Sequence, residues 1–156
     1  MKYLFVVVAL FLSACSIKNY DHTATKIVTI KTKKFRFNDI GYLRNSGDAL
    51  ELELFIAGHV VKQIDINHLI CVSDEGCLSK SAFNEAYLSK SYPPNTLQNI
   101  LLGKPIFHGK NLVKAGANFM QNILTQEVDI SYRVMQGEIY FKDRVNHILF
   151  KIKDTK

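Results

Sequence analysis

Apolar and polar residues alternate with a period of two along much of the chain, a pattern typical of β-strands with one buried face. Two runs are the clearest. In the first run, one face consists of Leu50, Leu52, Leu54 and Ile56. In the second run, one face consists of Val128, Ile130, Tyr132 and Val134. Further strand-like runs cover residues 26–37, 60–66, 68–72, 118–124, 138–142 and 147–153. Short turn sequences, among them Asn38-Asp39 and residues 45–48, separate these runs, so we expect antiparallel hairpins. Residues 104–114 predict an irregular connection.

The pattern changes to helical spacing between residues 79 and 103. Phe83 and Tyr87 lie four residues apart in a segment free of Gly and Pro, and Pro93-Pro94 ends that segment. A second apolar stripe follows and ends at Gly103, a residue typical of helix C-termini; it consists of Leu97, Ile100 and Leu101. The sequence therefore predicts two short helices between two strand-rich halves.

These elements predict a mainly β, β-rich α+β fold. We expect a curved antiparallel sheet or open barrel, with the two helices laid against its concave face, because an amphipathic sheet needs a cover for its apolar side. A small sandwich with the helices at one end is the alternative. With 156 residues, of which 47% are hydrophobic, the chain is long enough for one domain, which we place at residues 26–156.

The first fifteen residues, MKYLFVVVALFLSAC, have the organisation of a secretory signal. Lys2 precedes an apolar run at residues 4–12, which at about 1.5 Å per residue spans less than half of a hydrocarbon core of roughly 30 Å. The sequence Leu-Ser-Ala-Cys at residues 12–15 closely resembles the lipobox of bacterial lipoproteins. That resemblance implies diacylglyceryl transfer to Cys15, cleavage of residues 1–14 and acylation of the new amine by a chain such as palmitate. An ordinary signal peptide that happens to contain a cysteine is the alternative.

The lipobox resemblance also implies a location. Acyl chains on Cys15 anchor a protein to membrane lipid, and Ser16 replaces the Asp that retains such proteins at the inner membrane. We therefore expect the periplasmic face of the outer membrane. Residues 15–25 are polar and unpatterned, and they predict a flexible tether with a reach of at most about 36 Å.

The chain carries a net charge of +6, and loss of Lys2 with the signal leaves +5. A mild positive charge suits contact with anionic lipid head groups, and it equally suits plain solubility. A nucleic-acid partner is not expected at this location.

Two further cysteines, Cys71 and Cys77, are separated by five residues. A pair at short spacing in an oxidising compartment predicts a structural disulfide. The spacing differs from the CxxC of redox proteins, and a zinc site would need to recruit His68 and His59 in an arrangement unlike the usual ligand spacings.

Motifs of catalysis are missing from the sequence, which has no GxSxG, Walker, GxGxxG or HExxH pattern. The five histidines are scattered, and no two acidic residues are spaced as a catalytic pair. We therefore expect a protein that is not an enzyme, with no metal ion and no cofactor.

Two features are candidates for binding. Lysines and arginine interleave with aromatic residues at positions 31–37, which suits an anionic lipid or glycan, or else a solvated strand whose aromatic side chains lie in the core. The helical residues are the second candidate: Phe83, Tyr87, Leu97, Ile100 and Leu101. If the helices form a movable lid, these residues line an apolar pocket for acyl chains; if the helices are fixed, they are core.

The order of features along the chain is a lipobox, a strand-rich half, a helical insertion and a closing meander. The insertion contains Ile-Leu-Leu-Gly-Lys-Pro at residues 100–105. This layout is similar to that of the carrier and receptor proteins of the bacterial lipoprotein-localisation system. That resemblance implies an open β-barrel whose helical lid covers an apolar cavity for acyl chains. The chain also looks like other small outer-membrane lipoproteins.

We accordingly expect a non-enzymatic lipoprotein that binds a hydrophobic ligand or an envelope protein. A lipoprotein receptor or carrier with an acyl-binding cavity is the first alternative. A structural accessory subunit of an envelope complex is the second.

Overall fold

One antiparallel sheet of eleven strands and two short helices make up the computed structural model, which describes residues 20–155. Six strands precede the helices: β1 His22–Lys31, β2 Arg36–Ser46, β3 Ala49–Ile56, β4 His59–Ile66, β5 Leu69–Val72 and β6 Gly76–Ser79. The helices are α1 Lys80–Tyr87 and α2 Thr96–Leu102, followed by a 3₁₀ turn at Phe107–Gly109. Five strands follow: β7 Leu112–Ala115, β8 Asn118–Leu124, β9 Asp129–Met135, β10 Glu138–Asp143 and β11 Ile148–Asp154. The predicted mainly β class, with helices between two strand-rich halves, is confirmed.

The strand order is β6-β5-β4-β3-β2-β1-β11-β10-β9-β8-β7, so two meanders join where the first strand pairs with the last. Lys26 lies opposite Asp154 and Lys31 opposite Leu149 in that central pairing. The two outermost strands, β6 and β7, do not pair with each other, and the sheet stays open. The helical segment connects these two edges. Because there is a single sheet, the alternative of a sandwich is wrong.

The inner face of the sheet forms the core together with both helices. The alternation predicted in β3 is confirmed, since Leu50, Leu52 and Leu54 are all buried. Ile56 is 51% exposed, because the register with β4 shifts between Leu54 and Phe55 and moves the strand end off the inner face. In β9, Ile130 and Tyr132 are buried as predicted.

The predicted strand at residues 26–37 is in fact two strands joined by a tight turn. The Thr32 hydroxyl accepts the backbone N–H groups of Lys34 and Phe35, and the Thr32 N–H donates to the Phe35 carbonyl. This side-chain-capped turn lacks the Gly or Pro that marks most turns. The predicted tether also ends earlier than Thr25, because residues 22–25 already belong to β1 and pair with β2.

Two other local predictions were wrong. Asn38-Asp39 lies within β2 and not in a turn, because the Thr29 hydroxyl donates to the Asn38 side-chain oxygen across the β1–β2 pair at 2.7 Å. The connection predicted at residues 104–114 runs into β7, which pairs with β8 through a turn at Gly116, a residue with φ of +63°. None of the helices within residues 20–155 is long and apolar enough to cross a membrane.

Candidate functional site

A largely apolar cavity of about 290 Å³ lies between α1 and the inner face of the sheet. Its lining comes from the sheet, the turn after β1, the hairpin turn before β6 and both helices. The lining residues are Ile30, Thr32, Lys34, Phe35, Lys62, Ile64, Val72, Glu75, Phe83, Tyr87, Leu88, Leu97 and Phe150. The volume is at the lower end of the range of roughly 300–1,000 Å³ for small-molecule sites, so the space suits one narrow ligand.

The roof of the cavity is an aromatic pair on α1. Phe83 and Tyr87 lie one helical turn apart and stack with ring centroids 4.4 Å from each other and planes within 10°. The Ser79 hydroxyl accepts the Ala82 N–H and so fixes where α1 begins, directly after β6. The floor is formed by apolar strand residues that include Ile30, Ile64 and Phe150. The roof and the floor of the cavity are therefore both apolar.

The mouth of the cavity, by contrast, is charged. Lys62 Nζ lies 2.5 Å from one carboxylate oxygen of Glu75, and the Tyr87 hydroxyl donates to the other oxygen. Lys34 Nζ lies 4.5 Å from the centroid of the Tyr87 ring, within the range of a cation–π contact. The hydrogen bonds from Lys62 and Tyr87, with the nearby charge of Lys34, hold the pKa of Glu75 below its ordinary value. The same Glu75 carboxylate, with some burial, raises the pKa of Tyr87.

Glu75 is held at this mouth by the predicted disulfide, which the structure confirms. Cys71 and Cys77 lie directly opposite each other in the β5–β6 pair and are bonded. The hairpin turn between them uses Asp74 and Gly76 at positive φ and presents Glu75 toward β4 and α1. Because each sulfur is bonded to the other, neither is available as a zinc ligand, and the alternative of a zinc site with His68 and His59 is not supported. A disulfide is also the oxidised form of a redox pair, so the choice between a structural and a redox bond still rests on the spacing of the two cysteines. Residues 20–155 contain no group of three His, Cys, Asp or Glu side chains arranged to hold a metal ion.

The predicted ligand-binding residues divide into two groups. Phe83, Tyr87 and Leu97 line the cavity, as predicted. Ile100 and Leu101 do not line it: both are buried in the core on α2, at 0% and 1% exposure, which is where the alternative of fixed helices placed them. Cys15, the predicted lipidation site, lies outside the described residues.

The sequence did not predict that three charged residues of the mouth form a group. Lys34 belongs to the basic and aromatic run at residues 31–37, but it is the one lysine of that run that lines the cavity. In the same run Phe35 reaches the mouth, whereas Phe37 is buried in the core. Lys62 carries no signal of its own in the sequence, and Glu75 was noted only as part of a turn. Strand pairing brings them together from positions up to 41 residues apart.

A second polar cluster lies in the core near α2. Asp143, fully buried, accepts the Tyr92 hydroxyl at 2.6 Å, the Asn146 side-chain amide at 2.8 Å and backbone N–H groups of Asp129 and Val145. Burial and the neighbouring carboxylate raise the pKa of Tyr92. The donors around this carboxylate anchor the β10–β11 turn and the segment between the helices, which makes it a structural cluster.

No protein-family model and no curated protein matches the sequence, so the geometry of the cavity and its mouth carries the functional argument.

Proposed function

We propose that this protein is a membrane-anchored lipid-binding lipoprotein that holds one acyl chain in the cavity beneath α1. In this proposal Cys15 carries the acyl anchor, the domain faces the periplasm from the outer membrane, and no reaction is catalysed. The single observation that carries the proposal is the apolar cavity between α1 and the open sheet, with its charged mouth at the surface.

The energetics favour a hydrocarbon ligand. Each buried methylene contributes about 0.8 kcal/mol, so about ten methylenes contribute about 8 kcal/mol before the costs of association are subtracted. The stacked Phe83 and Tyr87 rings and the apolar floor offer no hydrogen-bonding atoms on their ring faces and hydrocarbon side chains. The hydroxyl of Thr32, which also lines the cavity, already accepts two backbone N–H groups of its own turn. A sugar or peptide backbone would leave its polar groups unsatisfied there, which costs free energy.

Among lipid-binding functions, we favour a receptor or carrier. An open sheet with two short helices packed against one face supports this choice, since the resemblance to the lipoprotein-localisation proteins implies an open barrel with a helical lid. A carrier must release its ligand. At the mouth, α1 is held by the contact of Tyr87 with Glu75, which is polar and partly exposed to water, and contacts of this kind break in local opening.

The test uses the chain with residues 1–15 replaced by a cleavable secretion signal. All eleven strands and every cavity-lining residue lie within residues 20–155, so this domain keeps its complete core. We expect native mass spectrometry of the periplasmic protein to show a co-purified acyl species, and a fluorescent fatty-acid analogue to bind saturably and to be displaced by palmitate.

The specificity control is a pair of matched substitutions. Val72→Phe places a ring in the cavity and is expected to weaken probe binding by about tenfold or more, because the ring occupies the space of the ligand. Val61→Phe adds the same ring at an exposed position of β4 that does not line the cavity, and it is expected to bind as the parent does. A clean apo mass together with no saturable binding contradicts the proposal.

A further inference from the structure

The charges at the mouth of the cavity are unequal in number. Two lysines, Lys34 and Lys62, and one carboxylate, Glu75, border the opening, which leaves the mouth with one positive charge in excess. Both lysines lie on aromatic rings, Lys34 over Tyr87 at 4.5 Å and Lys62 over Phe35 at 5.9 Å from the ring centroids. Their ammonium groups are therefore held at the rim, where the end of a bound acyl chain emerges.

Glu75 forms a salt bridge with only one of these lysines, although the charge of the other is close enough to act on its carboxylate. Its carboxylate contacts Lys62 and the Tyr87 hydroxyl, whereas Lys34 forms no salt bridge with any carboxylate among residues 20–155. Glu75 lies in the hairpin turn before β6 and Lys62 in β4, and the Glu75 side chain is 39% exposed, so their ion pair is of the kind that a competing anion displaces at little cost.

We propose that this mouth recognises a monoanionic head group, so that the ligand is an amphiphile with one acyl chain and one negative charge. The inference rests on the proposed function and deepens it by naming the ligand class. The shared chemistry is an anionic oxygen group, a carboxylate or a phosphodiester, at the end of a single chain. Lys34 supplies the unpaired charge, and Lys62 is shared between the head group and Glu75.

The test compares ligands that share an acyl chain and differ in the charge of the head group. Dodecanoate and methyl dodecanoate have the same chain, and we expect the anion to bind the soluble domain about tenfold more tightly at pH 8 and low salt. The preference is expected to shrink as salt is added, because exposed charges are screened. Monoacyl phosphatidylglycerol and monoacyl phosphatidylcholine form a second pair, anionic and zwitterionic, which tells a phosphodiester head from a carboxylate.

Three substitutions separate the roles of the mouth residues. Lys34→Met keeps the length of the side chain and removes its charge, and it is expected to abolish most of the preference for dodecanoate over its ester. Glu75→Gln removes the competing carboxylate, and it is expected to strengthen dodecanoate binding about threefold or more while leaving the ester unchanged. Lys33→Met is the matched control, since Lys33 is exposed and does not line this cavity.

The possible outcomes separate the two proposals. Tighter binding of either anionic ligand than of its uncharged or zwitterionic partner, altered in opposite directions by the Lys34 and Glu75 variants, supports the head-group proposal. Equal binding within both pairs, dodecanoate with its ester and monoacyl phosphatidylglycerol with monoacyl phosphatidylcholine, overturns it and leaves acyl-chain binding intact. If neither ligand binds, the proposed function itself has failed.

Discussion

The two helices cover the same sheet, yet α2 completes a filled core whereas α1 roofs a cavity. In α2, Leu97, Ile100 and Leu101 are buried, together with Thr96. In α1, only Phe83 and Asn84 are buried, and Tyr87 lies half-exposed at the mouth. Apolar residues at helical spacing therefore do not by themselves determine whether a helix closes a core.

The difference arises from what lies beneath each helix. Below α2, aromatic rings interlock edge to face: Tyr132 contacts Phe119 and Phe141, and Phe141 contacts Tyr92. Below α1, the floor is largely aliphatic, with Ile30, Ile64 and Val72, and these shorter side chains leave space. Large rings fill the volume between α2 and the sheet, which we call the filled half of the molecule. Smaller side chains leave space between α1 and the sheet, which we call the open half.

Polar contacts reinforce the contrast. The Tyr132 hydroxyl donates to the Lys104 carbonyl at 3.0 Å, and the Asn99 amide donates to the Pro105 carbonyl at 3.0 Å, so the end of α2 is fixed to the sheet. Gly103 ends the helix at φ +63°, where a Cβ atom would meet Ile139 and Val134 at 3.3 Å. The side-chain contacts of α1 with Glu75 are at the surface, where water competes for them.

The largest expected effect comes from a matched pair of isoleucines. Ile100→Ala removes a fully buried side chain from the filled half and is expected to lower the free energy of unfolding by about 2–5 kcal/mol. Ile64→Ala enlarges a cavity that already exists, so it is expected to cost less, because Ile64 already borders empty space and has fewer contacts to lose. Urea unfolding of both variants measures the difference. Equal losses would contradict the contrast between a filled and an open half.

The disulfide provides the next test, because it cross-links β5 to the edge strand β6, directly before α1. The loop that it closes contains seven residues, and on the loop-entropy model Cys71→Ser with Cys77→Ser is expected to cost about 2.4 kcal/mol. The reduced parent protein should have about the same free energy of unfolding as the double Ser variant, because neither has the cross-link. Thiol titration of the unreduced, unfolded soluble domain checks the premise, since two free thiols would show that the bond does not form.

Alkaline pH should weaken the filled half. Burial raises the pKa of both Tyr92 and Tyr132, with Asp143 adding to the effect at Tyr92. In the unfolded chain both phenols lose their protons near pH 10, whereas the folded protein keeps them. Unfolding therefore releases protons above pH 10, and stability is expected to fall there by up to about 1.4 kcal/mol per pH unit for each tyrosine, with no such loss below pH 10. Urea unfolding at pH 9 and pH 11 measures the slope, and Tyr92→Phe should reduce it; an unchanged slope would contradict the assignment.

Much of this architecture follows from the sequence. The alternation in β3 and β9, the helical spacing near Phe83 and the Cys71–Cys77 hairpin each depend on residues close together in the chain, and each was predicted correctly. The turn after β1 was missed because its Thr32-capped geometry is built from residues that equally suit a strand.

The candidate site was less predictable, for a physical reason. Helical spacing identifies Leu97 and Ile100 as belonging to one apolar face, but the space below each is set by strands far away in sequence. The mouth is the clearest case, since Lys34, Lys62 and Glu75 meet only because of the order in which β1 to β6 pair and the position of the hairpin turn between β5 and β6. Single residues of this kind carry no periodic signal.

The smallest expected effect comes from the same substitution made on the two sides of the molecule. Tyr87→Phe removes a hydroxyl that donates to Glu75 at the surface, and we expect the free energy of unfolding to change by less than about 1 kcal/mol, because water replaces the donor. Tyr92→Phe removes the donor of a fully buried carboxylate, and the expected loss is about 1–3 kcal/mol, since Asp143 keeps a lone pair that water cannot reach. Urea unfolding at pH 7 compares the two variants. A loss at Tyr87 as large as that at Tyr92 would mean that α1 is fixed to the sheet as firmly as α2, and the cavity beneath it would then lack the opening that ligand exchange requires.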